Sequence, residues 1–218
     1  VTLRVGLTGS LAAGKSTVGR LLAARGGVLI AADELAREAV RPGSPALDEI
    51  RAEFGDRVLG PDGGLDRSAM RAVAFADPDA RRRLEEIVHT RVRELRRRRH
   101  EELEAAGARV VLDEIPLLFE VGLEDEFDAI VVVDAAPDLR RRRAMETRGW
   151  TAEEFDAIEA SQTPAAEKVA RADLVIRNDG DETALARAAD AVWLELDDRA
   201  RERRSGRRAP VDGESRRA

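Results

Sequence analysis

Short apolar runs punctuate the chain at residues 3–7 (LRVGL), 28–30 (VLI), 109–112 (RVVL), 129–133 (AIVVV) and 174–176 (LVI). Runs such as VVL and IVVV carry no in–out alternation, which is the pattern of strands covered on both faces and so of a parallel sheet. Between them lie segments with helical spacing, the first at 15–24. Strands alternating with helices predict a doubly wound α/β sheet in three layers.

Two segments break that rhythm. Residues 34–106 run long between strand signals and read as mostly helical, with turns at Pro42-Gly43-Ser44 and Pro61-Asp62-Gly63-Gly64, so a helical insertion is expected there. Residues 138–172 read as two helices joined around Gly149, with Thr151 as N-cap ahead of Glu153 and Glu154. The expected organisation is a core of 1–33, 107–137 and 173–198, an insertion over 34–106, a lid over 138–172, and a disordered arginine-rich tail over 199–218.

Composition narrows the functional classes. Aromatic residues are 3 % of the chain, so the core must be Leu, Val, Ala and Ile. Cysteine is absent, which excludes disulfides and thiolate metal sites and fits a reducing, cytoplasmic setting. No apolar run reaches the ~20 residues that cross a bilayer, so no membrane role is expected. The early strand also leads to the expectation of no signal peptide. The net charge of −6 is concentrated away from the tail, and such an acidic body argues against nucleic acid as a partner. Of 37 basic residues only Lys15 and Lys168 are lysine. A chain that avoids lysine yet keeps one after Gly14 needs an ammonium at that position.

The stretch GSLAAGKST at 9–17 fits G-x-x-x-x-G-K-[ST] and stands between a strand and a helix, as a phosphate-binding loop must. Its backbone N–H groups and the following helix N-terminus would face phosphate oxygens. Ala12, Ala13, Gly14, Lys15, Ser16 and Thr17 are the expected ATP-binding residues. Lys15 would reach the β- and γ-phosphates and Ser16 would hold Mg²⁺. Asp113, closing an apolar strand, is the expected second anchor of that metal. Asp33 follows the second strand, where it could take a proton from an acceptor hydroxyl or simply cap the next helix. Leu117, Leu118 and Phe119 could be core or the wall of an acceptor site. Arginines 140–143 and Arg148 offer cations for a transferring phosphoryl group, although most of the run must be solvated. The segment Asn178-Asp179-Gly180-Asp181 lacks the lysine of a guanine-reading motif, which rules out a GTPase.

The ordered set of motifs resembles the dephospho-CoA kinase family of P-loop kinases, which act in the last step of coenzyme A synthesis. The likeness runs through RVGLTG…GKST at 4–17, DELARE at 33–38, RPGSPAL at 41–47, FGDRVLGPDGGLDR at 54–67 and FADPDARRRLEEIVH at 75–89. It continues in DEIPLLFEVGL at 113–123, RAMETRG at 143–149, ASQ at 160–162 and EKVARADLVIRNDG at 167–180. The resemblance implies a P-loop NTPase fold, a CoA-binding insertion and a lid. It implies ATP-dependent phosphorylation of the ribose 3′-hydroxyl of dephospho-CoA, with Mg²⁺. On that basis Lys15, Asp33, Arg143 and Arg148 are catalytic and Asn178 joins the ATP site. Arg37, His89, Leu117, Leu118, Phe119 and Arg171 join Asp33 at the acceptor. Alternatives are a paralogue acting on another nucleoside or nucleotide, or a nucleotide-binding regulatory protein without turnover. This chain has Ser10 and Ala12 where the family has glycine, Ala31 in place of an aspartate, and Thr90 after His89 instead of proline. A side chain at a loop position needing positive φ would cost about 1 kcal/mol or more.

Overall fold

A computed structural model of the chain describes residues 1–206. They form two compact units, one of Val1–Ile30 with the chain from Leu103 onward, the other of Ala31–Glu102. The strands are β1 (Leu3–Gly9), β2 (Val28–Ala31), β3 (Val110–Glu114), β4 (Ala129–Asp134) and β5 (Leu174–Arg177). The helices are α1 (Lys15–Ala24), α2 (Ala32–Ala39), α3 (Pro45–Phe54), α4 (Arg67–Ala76), α5 (Pro78–Ala105), α6 (Pro137–Arg148), α7 (Ala152–Ala160), α8 (Ala165–Ala170) and α9 (Glu182–Arg204).

The first unit is built on an all-parallel sheet in the order β2-β3-β1-β4-β5. On one face Leu3, Val5, Leu7, Val110, Leu112, Val131, Val133 and Ile176 pack with Val18 and Leu22 of α1 and with Leu185, Val192, Trp193 and Leu196 of α9. On the other face, Gly6 lies so close to Leu118 and Phe127 that an added Cβ would come within 2.6 Å of Leu118 and 3.0 Å of Phe127. This is the three-layer, doubly wound arrangement that unalternated apolar strands require. Every residue of β3 and β4 is buried, yet they end in Asp113-Glu114 and Asp134. Buried carboxylates at carboxyl strand ends mark the edge where such sheets bind ligands.

The second unit is helical, from α2 through most of α5. Its core gathers Ala39, Val40, Ile50, Phe54, Val58, Met70 and Ala80, with Leu84, Ile87, Val88, Val92 and Leu95 packed against them. Two starts are capped: Ser44 accepts from Leu47 N ahead of Pro45, and Asp66 accepts from Ser68 N and Ala69 N. Each side-chain acceptor satisfies N–H groups that the first helical turn leaves open.

Two expectations change. The 138–172 segment folds as three helices rather than two, because Ser161 ends α7 and Pro164 starts α8. Thr151 does cap α7, in a reciprocal capping box with Glu154. The chain is ordered beyond residue 198: α9 continues to Arg204, with Ala200 buried and Arg201 and Arg203 paired to Asp197 and Asp128. Counting charges hid this, because the helix buries Ala200 between its arginines. Residues 207–218 of the expected tail lie outside the described residues.

Two leucines of α9 give a direct check on this packing. Leu196 is 0 % exposed and Leu194 is 65 % exposed. Leu196→Ala is expected to cost about 2–5 kcal/mol by cavity formation, and Leu194→Ala no more than about 0.5 kcal/mol. Urea denaturation midpoints of the two variants measure the difference.

Candidate functional site

The phosphate loop runs from the end of β1 into α1, and its carbonyl groups are taken up one by one. The Lys15 ammonium donates to Gly9 O at 3.2 Å and Ser10 O at 3.1 Å. Arg140 Nη1 reaches Leu11 O at 3.5 Å, and Asn178 Nδ2 donates to Ala13 O at 2.8 Å. The N–H groups of Thr17 and Val18 close on Gly14 O, both at 3.1 Å. With these carbonyls turned into the protein, the open N–H groups at the start of α1 are left for an anion. Gly14 has φ +93°, and a Cβ there would lie 2.5 Å from Asn178 Nδ2, so glycine is required on both counts.

The two departures from glycine behave differently. Ser10 is buried and donates to Asp134 Oδ1 at 2.6 Å, tying the loop to the end of β4. Asp134 also meets the Arg177 guanidinium, and its backbone carbonyl accepts from Asn178 N at 2.8 Å. Ala12 has φ +56°, the one non-glycine residue in the left-handed region among the described residues. It packs against the buried cluster of Leu11, Ala144 and Phe155, as do Trp150 and Ile158, so the same strained position docks the loop on α6 and α7.

Of the two acids closing β3, Glu114 meets the phosphate loop: its Oε1 accepts from Ser16 Oγ at 2.6 Å. Successive strand side chains alternate between faces, so Asp113 turns to the other side from Glu114. Glu114, rather than the expected Asp113, is thus the acid that the structure brings to Ser16. A hydroxyl and a carboxylate suit a hard cation such as Mg²⁺, which keeps its remaining ligands as water and phosphate. Among the described residues no group of three or more His, Cys, Asp or Glu side chains could hold a metal unaided.

The arginines separate in the same way. Arg140 is 2 % exposed rather than solvated, with Nε donating to Ala135 O at 2.9 Å and Nη1 to Glu159 at 2.5 Å. Arg143 Nη2 lies 3.5 Å from Asn178 Oδ1. Its buried Nη1 has no hydrogen-bond partner among the described residues. A buried guanidinium N–H without an acceptor is costly, and a phosphate oxygen would remove that cost. Arg148 lies exposed, 5.0 Å over the Trp150 ring.

Past β3 the expected acceptor wall divides. Leu117 is exposed, Leu118 is sheet core over Gly6, and Phe119 is buried beneath Arg171 at 4.5 Å. Leu118 is thus a packing residue instead of wall. Arg171 is paired with Glu124 and Glu167, so its charge is already met. Glu120 accepts from Lys168, which is 2.9 Å away, and from Thr163 N. Burial alone would raise the Glu120 carboxyl, but the bonds from Lys168 and the backbone hold it below the usual carboxylate range.

In the helical unit, Asp33 is exposed at the second position of α2. The N-cap of α2 is Ala31, without a side-chain cap, so Asp33 does not cap the helix. Arg37 on α2 and His89 on α5 are also exposed. Sequence reasoning missed Glu114, Asp134 and Glu120, and it named Arg140 only as one of a run of cations, not as the buried one that reaches Leu11 O.

The model of the family described as "Dephospho-CoA kinase" matches residues 3–184. A dephospho-CoA kinase of Anaeromyxobacter dehalogenans is 51 % identical over 192 residues, 88 % of this chain and 91 % of that protein. One from Streptomyces avermitilis is 44 % identical over 198 residues, 91 % of this chain and 96 % of that protein. The crystal structure of TT1252 from Thermus thermophilus superposes with a TM-score of 0.75 at 38 % identity, covering 89 % of this chain and 98 % of its own.

The loop substitutions should move stability in opposite directions. Ser10→Ala is expected to cost about 1.5–3 kcal/mol, the usual worth of a hydrogen bond to a charged group. Ala12→Gly is expected to gain up to about 1 kcal/mol by relieving the left-handed strain, less what the lost methyl contributed. Thermal melts of both variants beside the parent protein read the two signs.

Proposed function

The chain belongs to the dephospho-CoA kinase family, and from that premise we propose how its residues divide the reaction. It phosphorylates dephospho-CoA at the expense of ATP. The observation that carries this reading into the structure is the phosphate loop itself. Its carbonyls are held inward by Lys15, Arg140 and Asn178, beside a buried Arg143 nitrogen with no partner among the described residues.

In this reading Ala12, Ala13, Gly14, Lys15, Ser16 and Thr17 bind the triphosphate, with the Lys15 ammonium moving from the Gly9 and Ser10 carbonyls to the β- and γ-phosphates. Ser16 and Glu114 would hold Mg²⁺ carried in on the nucleotide, and the metal would supply positive charge against the charge of the phosphates. Asp33 accepts the proton of the ribose 3′-hydroxyl as its oxygen bonds to the γ-phosphorus. The bond from that phosphorus to the β-phosphate oxygen breaks, and ADP leaves with the electron pair. Arg143 and Arg148 meet the equatorial oxygens of the transferring group. Arg37, His89, Leu117 and Phe119 bind the acceptor, with residues 34–106 as its domain and 138–172 as a lid that excludes water.

Magnesium as the metal and the cytoplasm as the site of action belong to the same reading. Among the described residues no helix is long and apolar enough to cross a membrane. Neither a nucleic-acid nor a membrane partner enters the mechanism.

The test is an endpoint mass-spectrometric assay with purified protein, Mg-ATP and dephospho-CoA. The expected product is the acceptor heavier by one phosphoryl group. Lys15→Ala should abolish it and Asp33→Asn should slow its formation by about 10²-fold or more, the usual scale for losing a general base. Folded protein that binds ATP but yields no product would contradict the proposal, as would an unimpaired Asp33→Asn.

A further inference from the structure

The second lysine has no part in the phosphate site. Lys168 sits on α8 and is 1 % exposed. Its Nζ stands 2.9 Å from Glu120 Oε1 and donates to Gln162 Oε1 at 3.3 Å. The same Glu120 oxygen accepts from Thr163 N at 2.9 Å. One carboxylate, next in sequence to Phe119, therefore holds both Thr163 and Lys168. A second clasp lies beside it: Arg171 covers the Phe119 ring at 4.5 Å and pairs with Glu124.

A buried lysine–carboxylate pair is a weak source of stability, since well-packed apolar side chains of equal volume do as well. What it supplies is direction, because a desolvated carboxylate must lie where its donors are. The residue choice carries the same message. With 35 of 37 basic residues arginine, the chain keeps a lysine at a position closed to solvent. A compact ammonium with three rotatable donors fits between Glu120 and Gln162, where a planar guanidinium is bulkier.

We infer that Lys168, acting through Glu120, is a positioning residue for the acceptor: it fixes residues 117–120 against residues 162–171, so that dephospho-CoA meets a preset wall at Leu117 and Phe119. This rests on the reading of Leu117 and Phe119 as acceptor-binding, and the pair contributes nothing to ATP binding. A misplacement of about 1 Å in a positioning element can cost up to about 10²-fold.

Steady-state kinetics with each substrate varied in turn test the inference on four variants. Lys168→Met is expected to raise the KM for dephospho-CoA about tenfold or more, with the KM for ATP and kcat within about twofold of the parent. Adding Glu120→Gln to Lys168→Met should leave the acceptor KM within about threefold of that of Lys168→Met, because a residue that acts only through Glu120 has nothing further to lose once Glu120 is neutralised. A structural role alone would lower the melting temperature without this split between substrates. Phe119→Ala checks the underlying reading: it should raise the acceptor KM whatever Lys168 does.

An unchanged acceptor KM in Lys168→Met beside a raised one in Phe119→Ala overturns the inference and leaves the wall standing. An unchanged KM in Phe119→Ala removes the wall. A double variant whose acceptor KM rises well beyond that of Lys168→Met, as independent effects would give, overturns the route through Glu120. Should Lys168→Met fail to fold, Glu120→Gln alone decides: an acceptor-specific rise supports the inference and an unchanged acceptor KM overturns it.

Discussion

An anion site made from backbone requires that several successive N–H groups face the same way, and their carbonyls resist this unless something else binds them. In this chain two of the donors come from far along the sequence, Arg140 on α6 and Asn178 after β5, and the third, Lys15, comes from the loop's own helix. Asp134 adds a grip through Ser10 at 2.6 Å. All of these groups stand at the carboxyl edge of the parallel sheet or on elements that leave it. The sheet order β2-β3-β1-β4-β5 puts β1 at the centre, so its loop has β3 and β4 on either side to supply partners.

The loop is also where α6 and α7 join the core. Leu11 and Ala12 pack with Ala144, Trp150, Phe155 and Ile158, and Arg140 links Leu11, Ala135 and Glu159 from a buried position. A fully buried arginine is unfavourable unless each donor direction finds an oxygen, so its presence specifies one arrangement of loop and helix. The left-handed Ala12 belongs to the same compromise. Strain of about 1 kcal/mol is held at the point where the loop meets α6 and α7, and the packed methyl offsets part of it.

The strands, the phosphate loop and the Thr151 cap were legible in the sequence because each depends on neighbours only a few residues away. GKST after LRVGL needs no tertiary knowledge, and Thr-x-x-Glu names its own partner. Glu114 was not legible in that way: adjacent acids at a strand end differ only in the face they take, which the sheet decides. Arg140 was hidden in a run of four arginines, where the helix buries one and leaves Arg142 exposed. Leu118 and Leu117 look alike in sequence, yet Gly6 beneath Leu118 makes one core and leaves the other open. Asp33 could have been a cap until the backbone assigned that position to Ala31.

Calorimetric titration of inorganic tripolyphosphate into the parent protein and Asn178→Ala tests the held loop most directly, because this ligand has phosphates but no base or sugar. Losing the donor to Ala13 O should leave that carbonyl unsatisfied and weaken tripolyphosphate by about tenfold, roughly 1.4 kcal/mol, which lies within the cost of about 1–3 kcal/mol for an orphaned polar group. ATP should weaken by the same factor. Unchanged tripolyphosphate affinity with weakened ATP would mean that Asn178 serves the nucleoside instead, and that the loop holds its shape without it.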